Sequence, residues 1–208
     1  MHIIIFGATG QAGLQLVKQA LWKGHTVKAF GRNVYDIIDM ENERLTLIKG
    51  ALFDEAEVRE AIKGTDAVLS ALGGAFDGTD KTRSLGMKNI AAQMEATGVR
   101  RIIGIGGMGV LNADEKHLLL ETEGYPAEYL PVGGEHLAAY EILKQSNLDW
   151  TFVCPPDIVN AEATGSFHTR ADYPPEPVKS ITTGDLALFM LGELEKNEFA
   201  RKRVGISN

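Results

Sequence analysis

The sequence predicts an α/β chain built on a doubly wound, mainly parallel sheet, and three observations predict it. First, Met1–Phe6 (MHIIIF) is a short apolar run rich in β-branched residues. It breaks into Gly7-Ala8-Thr9-Gly10-Gln11-Ala12-Gly13 before the helical pattern of Leu14, Leu16, Val17, Ala20 and Leu21. Second, short apolar runs and helical patterns alternate along the rest of the chain, as parallel strands joined by helical crossovers require. Third, 208 residues are enough for one core and form one expected domain, 1–208.

The elements follow in order. After the first helix, Gly24-His25 turns the chain into a second strand, Thr26–Phe30, which ends at Gly31-Arg32-Asn33. A weak helical stretch leads to a third strand, Leu45–Ile48, closed by Gly50. Asp54 is placed to cap a helix whose apolar face includes Val58, Ala61 and Ile62. Ala67–Leu69 is the fourth strand, continued by Ala71-Leu72-Gly73-Gly74. A long helix, Thr82 to Ala96, precedes the fifth strand, Arg101–Ile105, which ends in Gly106-Gly107. Met108–Val132 is irregular, with a short helix expected at Glu115–Glu121. A helix from Gly134 to about Ser146 returns the chain to a sixth strand, Trp150–Cys154, stopped by Pro155-Pro156. Asp157–Ser180 reads as loop, Thr183 as the cap of a helix over Asp185–Leu194, and Arg203–Ile206 as a last edge strand. The expected total is six or seven strands, in the order 3-2-1-4-5-6.

Composition narrows the partners. With 21 Lys and Arg against 28 Asp and Glu, the formal charge is −7, and no basic cluster stands out. A nucleic acid or an acidic membrane surface is a poor match. No apolar run approaches the ~18 residues of a membrane span, and the N-terminus lacks a basic region before its short apolar run, so a cytoplasmic protein is expected. The single cysteine, Cys154, lies in an apolar strand and should be a buried, reduced thiol. The five histidines show no metal-ligand spacing, and no metal site is expected.

The strand, glycine turn and helix at the N-terminus carry the chemistry. Such a turn leaves unpaired N–H groups and the positive end of the helix dipole at one point, which suits a phosphate. Gly7 permits the turn, Gly10 lets a pyrophosphate approach the backbone, and Gly13 lets the helix sit close on its strand. The two irregular stretches, 108–133 and 157–181, leave the carboxyl edge of the sheet, where ligands of open α/β sheets bind, and are expected to wall the substrate site.

GATGQAG at Gly7–Gly13, Gly31-Arg32, SALGG at Ser70–Gly74 and ILKQSNLDWTFVCPPDI at Ile142–Ile158 resemble the atypical short-chain dehydrogenase/reductases. Among these, the chain looks most like the flavin reductases, also called biliverdin-IXβ reductases, and the wider NmrA-like NAD(P)-binding proteins. The resemblance covers nearly the whole chain. It implies a Rossmann fold, a nicotinamide dinucleotide and hydride transfer to a flavin, a quinone or a similar flat acceptor. It also implies that Gly7, Thr9, Gly10, Gln11 and Ala12 surround the pyrophosphate, that Gly73 and Gly106 flank the ribose and nicotinamide, and that Leu72, Ile105, Gly107, Pro155, Pro156 and Ile158 also bind the cofactor. Gly50-Ala51 departs from the family's usual Gly-Asp, so adenine is expected to rest on Ala51 and Leu52. Independently, Phe30–Asn33 has no acid to take a ribose 2′-hydroxyl and offers Arg32 to a 2′-phosphate, so NADP(H) is expected over NAD(H).

The proton donor is not legible. Tyr140-x-x-x-Lys144 matches the motif of ordinary short-chain dehydrogenases, but Lys144 falls in the last turn of its helix, about 12 Å along the axis from residue 136 at ~1.5 Å per residue. The nicotinamide belongs at the other end, so Tyr140 reads as core and Lys144 as a solvated helix end. The flavin reductases carry a serine just after strand five and a histidine after the Pro-Pro, where this chain has Gly107 and Asp157. The remaining candidates are His136, placed on the first turn of its helix and otherwise a surface or capping histidine, and Asp157, otherwise a polar loop carboxylate. Tyr125, Tyr129 and His168 lie in the irregular stretches and could touch substrate. Two functions follow: an NADPH-dependent reductase with a small aromatic acceptor, or a non-catalytic NmrA-like sensor that binds NADP(H) and acts through a protein partner.

Overall fold

The computed structural model describes residues 1–208, the side chain of Ile37 excepted. The elements are β1 (His2–Phe6), α1 (Gln11–Trp22), β2 (Thr26–Gly31), α2 (Val34–Ile37), β3 (Leu45–Lys49), α3 (Glu55–Ile62), β4 (Ala67–Ser70) and α4 (Thr82–Thr97). After them come β5 (Arg101–Ile105), α5 (Leu130–Gln145), β6 (Asp149–Cys154), β7 (Asp157–Val159), β8 (His168–Ala171), β9 (Ser180–Thr182), α6 (Thr183–Lys196) and β10 (Lys202–Ser207). Eight strands form one sheet in the order β3-β2-β1-β4-β5-β6-β10-β8, parallel throughout except for β10 against β8. This contains the predicted order 3-2-1-4-5-6.

Alternate residues of each inner strand face opposite layers, as a pleated strand demands. Ile3 and Ile5 of β1 pack with α1 and α6, while Ile4 and Phe6 pack with α3, α4 and α5. Both faces of the sheet are covered, which is why β1 and β4 read as continuous apolar runs. Asp54 caps α3 as expected, accepting from the Ala56 and Glu57 amides at 2.9 Å. Cys154 is a buried free thiol whose pKa burial pushes up. Among the described residues, no helix is long and apolar enough to cross a membrane.

Six expectations need correction. Residues 157–180 contain three short strands rather than loop alone, and β8, not β10, forms the sheet edge. The sheet thus exceeds six or seven strands, and β7 and β9 pair separately in parallel. Glu115–Glu121 is not a helix: Asp114 accepts from the amides of Lys116 (2.7 Å) and His117 (2.8 Å), turning the chain so that only Leu119–Glu121 makes a helical turn. α5 begins at Leu130, not Gly134, because Pro131 sits in the first turn, where its missing N–H costs nothing. Thr182, not Thr183, caps α6, accepting from the Asp185 amide at 2.9 Å.

Candidate active site

The glycine turn is built on two close approaches. Gly7 has φ +76°, and a Cβ there would run into the Ala71 carbonyl at the end of β4. A Cβ at Gly13 would run into the Gly7 carbonyl and stand 2.8 Å from Ala8 Cα, so α1 lies directly on the turn. Gly10 differs, because a Cβ there would meet only the Gly7 carbonyl, at 3.5 Å, and would otherwise face open space. No side chain caps α1 at Gly10, and its first turn carries no acid, so the positive end of the helix is uncompensated. This open cradle fits an anionic pyrophosphate.

From the cradle a single cleft of about 1020 Å³ crosses the carboxyl edge of the sheet. Every residue assigned to the dinucleotide lines it except Ala51: Gly7, Thr9, Gly10, Gln11, Ala12, Arg32, Leu52, Leu72, Gly73, Ile105, Gly106, Gly107, Pro155, Pro156 and Ile158. Gly50 and Leu52 on either side of Ala51 do line it, and the Ala51 amide donates to Glu57 Oε2 at 2.6 Å. Glu57 therefore reaches the end of β3, a placement its position on α3 did not advertise. Arg32 is exposed at the cleft and makes no hydrogen bond or ion pair with the described residues.

The far half of the cleft is apolar and aromatic, with Met108, Leu119, Tyr125, Tyr129, Val132 and Val178 contributing. Both irregular segments supply walls of the cleft. Tyr125 and Tyr129 line the cleft, and burial holds the Tyr125 phenol above its ordinary pKa. His168 does not; it is on the exposed strand β8. Tyr140 is core, edge-on to Trp150 and stacked with Phe152, and Lys144 pairs with Glu141 at the helix end. That match to the dehydrogenase motif is therefore structural. Asp157 is exposed in β7 and lines the cleft.

His136, expected on the first turn of α5 or else as a surface or capping histidine, is half-buried on the second turn and caps nothing. It lines the cleft beside Gly107, with Nδ1 sealed from solvent and without a partner. Burial, aided by the positive charge of Arg83, lowers its pKa to about 3, so the ring is neutral in ordinary buffers. The neighbouring Glu135 pulls the other way, but its carboxylate accepts from Ser84 Oγ (2.7 Å) and Lys81 Nζ (3.1 Å), tying α5 to α4.

Arg83 escaped the sequence reading. It is a lone arginine in the first turn of α4, buried there, and it donates to the carbonyls of Gly74 (3.0 Å) and Ala75 (3.1 Å) with its guanidinium over the Phe76 ring. It thereby holds the 73–80 loop as one wall of the cleft. Among the described residues, no cluster of His, Cys, Asp and Glu could hold a metal ion.

Comparison with known proteins agrees with this architecture. Residues 7–197 match a family model described as NAD(P)H-binding. The uncharacterized protein YwnB of Bacillus subtilis (strain 168) is 30% identical over 98% of this chain and 96% of its own. A 2-alkyl-3-oxoalkanoate reductase of Stenotrophomonas maltophilia is 27% identical over 69% of this chain, and the match spans 43% of that enzyme. A solved structure from Streptococcus pneumoniae TIGR4, named "a putative NADH-flavin reductase", has a TM-score of 0.86 at 27% identity, covering 100% of this chain and 99% of that one. The chain belongs to the NAD(P)H-binding family and shares the Rossmann fold of its oxidoreductase relatives.

Proposed function

We propose that the protein is an NADPH-dependent reductase acting on a flavin, a quinone or a similar flat acceptor, in the cytoplasm. The observation that carries this reading is the continuity of the cleft. An uncapped helix N-terminus with a free arginine at one end opens without a break into an apolar, aromatic compartment at the other. Its volume, about 1020 Å³, lies at the top of the ~300–1,000 Å³ range of small-molecule sites, leaving room for a second flat ring beside a dinucleotide.

Bound NADPH would supply the hydride. The protein's part is placement: the Gly10–Ala12 backbone holds the pyrophosphate, Arg32 the 2′-phosphate and Leu52 the adenine. Gly73, Gly106 and Pro155 border the ribose and nicotinamide. Alignment of two flat rings supplies much of the rate of such a transfer. Arg32→Ala should weaken NADPH binding more than tenfold, since a charge-assisted contact is worth about 1.5–3 kcal/mol, and leave NADH nearly unchanged. Calorimetry with both nucleotides checks this, and equal weakening of the two would sink the assignment of Arg32.

The reaction itself is tested by mixing the protein with NADPH and a panel of FMN, FAD, benzoquinones and biliverdin, and following nicotinamide absorbance. Turnover with at least one acceptor is expected. NADPH binding without turnover on any of them would reject the reductase reading on that panel and favour a non-catalytic sensor acting through a protein partner.

A further inference from the structure

The end of β5 carries a mutual fit between a glycine and a histidine. A Cβ at Gly107 would stand 2.7 Å from Cδ2 and 3.1 Å from Nε2 of His136, so the imidazole of α5 fills the space that any side chain at 107 would need. The polar group that residue 107 cannot offer to the cleft is thus supplied from the helix opposite. The two ring nitrogens differ. Nδ1 is sealed and unpartnered, whereas Nε2, also without a protein partner, is not sealed. A buried N–H without an acceptor is rarer and costlier than a buried lone pair without a donor, which puts the ring proton on Nε2.

Resting on the reductase reading, we propose that His136 is a catalytic residue whose Nε2–H donates a hydrogen bond to the acceptor atom that gains negative charge during reduction. The acceptor takes two electrons and one hydrogen from NADPH, which leaves as NADP⁺, and its second hydrogen arrives as a proton from water. His136 keeps its own proton throughout, acting as a fixed donor to developing charge. The charged groups around it suit that role: Arg83 on α4 disfavours a second positive charge, and Glu135 on α5 is already held by Ser84 and Lys81.

Three proteins test this: wild type, His136→Leu and His136→Gln, each checked for folding by thermal melting and NADPH binding. Removing the donor should lower kcat about a hundredfold with little change in the KM for NADPH, by analogy with loss of an oxyanion donor. Glutamine, which restores an N–H, should recover part of the loss. The wild-type rate should show no inflection near pH 6.5. Independently of turnover, ¹⁵N-histidine NMR of the wild-type complex with NADP⁺ should show His136 neutral at pH 7. Its Nε2 resonance should shift when FMN or a naphthoquinone is added. Wild-type turnover that survives His136→Leu undiminished would overturn the proposal while leaving the reductase reading intact. A charged His136 at pH 7, or an Nε2 signal unmoved by every acceptor, would overturn it even if no acceptor turns over or His136→Leu fails to fold.

Discussion

Gly13→Ala should reduce NADPH binding by at least roughly a hundredfold while also destabilising the protein. The added methyl would meet the Gly7 carbonyl and Ala8 Cα, and both are backbone atoms that cannot rotate away. Gly7 cannot retreat, since it sits at φ +76° against Ala71. The strain must therefore move α1 off the turn, at about the 1–3 kcal/mol typical of overpacking, and carry the phosphate-facing amides with it. Gly10→Ala is the matching control, because its Cβ meets only one atom, at 3.5 Å. It should melt near the wild-type temperature and still bind NADPH poorly, since the methyl would stand where the pyrophosphate approaches. Calorimetry and thermal melting on both variants check this. A Gly13→Ala protein with unchanged melting and wild-type affinity would contradict the account of the turn.

The second large effect is on stability alone. Glu193 on α6 is 1% exposed and accepts from Arg101 Nη2 (3.1 Å), Thr151 Oγ1 (3.2 Å) and the amides of Phe199 (2.8 Å) and Glu198 (3.2 Å). Glu193→Ala would leave the buried Arg101 guanidinium without its nearest carboxylate and the amides of Glu198 and Phe199 without an acceptor, while the Thr151 hydroxyl keeps the Phe199 carbonyl at 3.0 Å. Breaking such a pair costs about 3–5 kcal/mol, against the ~5–15 kcal/mol that holds a typical domain folded. Asp149, 3.7 Å from Arg101, offsets part of this. Urea unfolding should show the loss as a lower midpoint, and the folded fraction should retain NADPH affinity because the cluster lies outside the cleft. An unfolding free energy within about 0.5 kcal/mol of wild type, the usual spread of surface changes, would show that the cluster contributes little.

Much of the site was legible because its signals are local. A β-branched run, three glycines and a helical pattern within about twenty residues specify β1, the turn and α1 without reference to the rest of the chain. Arg32 followed from the same logic, as the residue at the end of β2. What escaped depends on distant partners. β8 reads His-Thr-Arg-Ala, fully exposed and without apolar alternation, and only its pairing with β10 makes it a strand. Arg83 and Glu193 are charged residues on helices, and nothing nearby marks them as buried. Gly133-Gly134 and Pro131 disguised the start of α5, which placed His136 on the wrong turn and hid its contact with Gly107. Ala51 was set against adenine by its position after β3, and nothing in the local sequence marked that Gly50 and Leu52 would line the cleft while Ala51 would not.

A crystal structure of the protein with NADPH tests the central claim most directly. The pyrophosphate should lie at the amides of Gly10–Ala12, the 2′-phosphate on Arg32, and the nicotinamide beside Gly106 and Gly107 with one face open to the aromatic compartment. A dinucleotide bound elsewhere, or one whose 2′-phosphate lies away from Arg32 and whose nicotinamide is sealed off from that compartment, would contradict it.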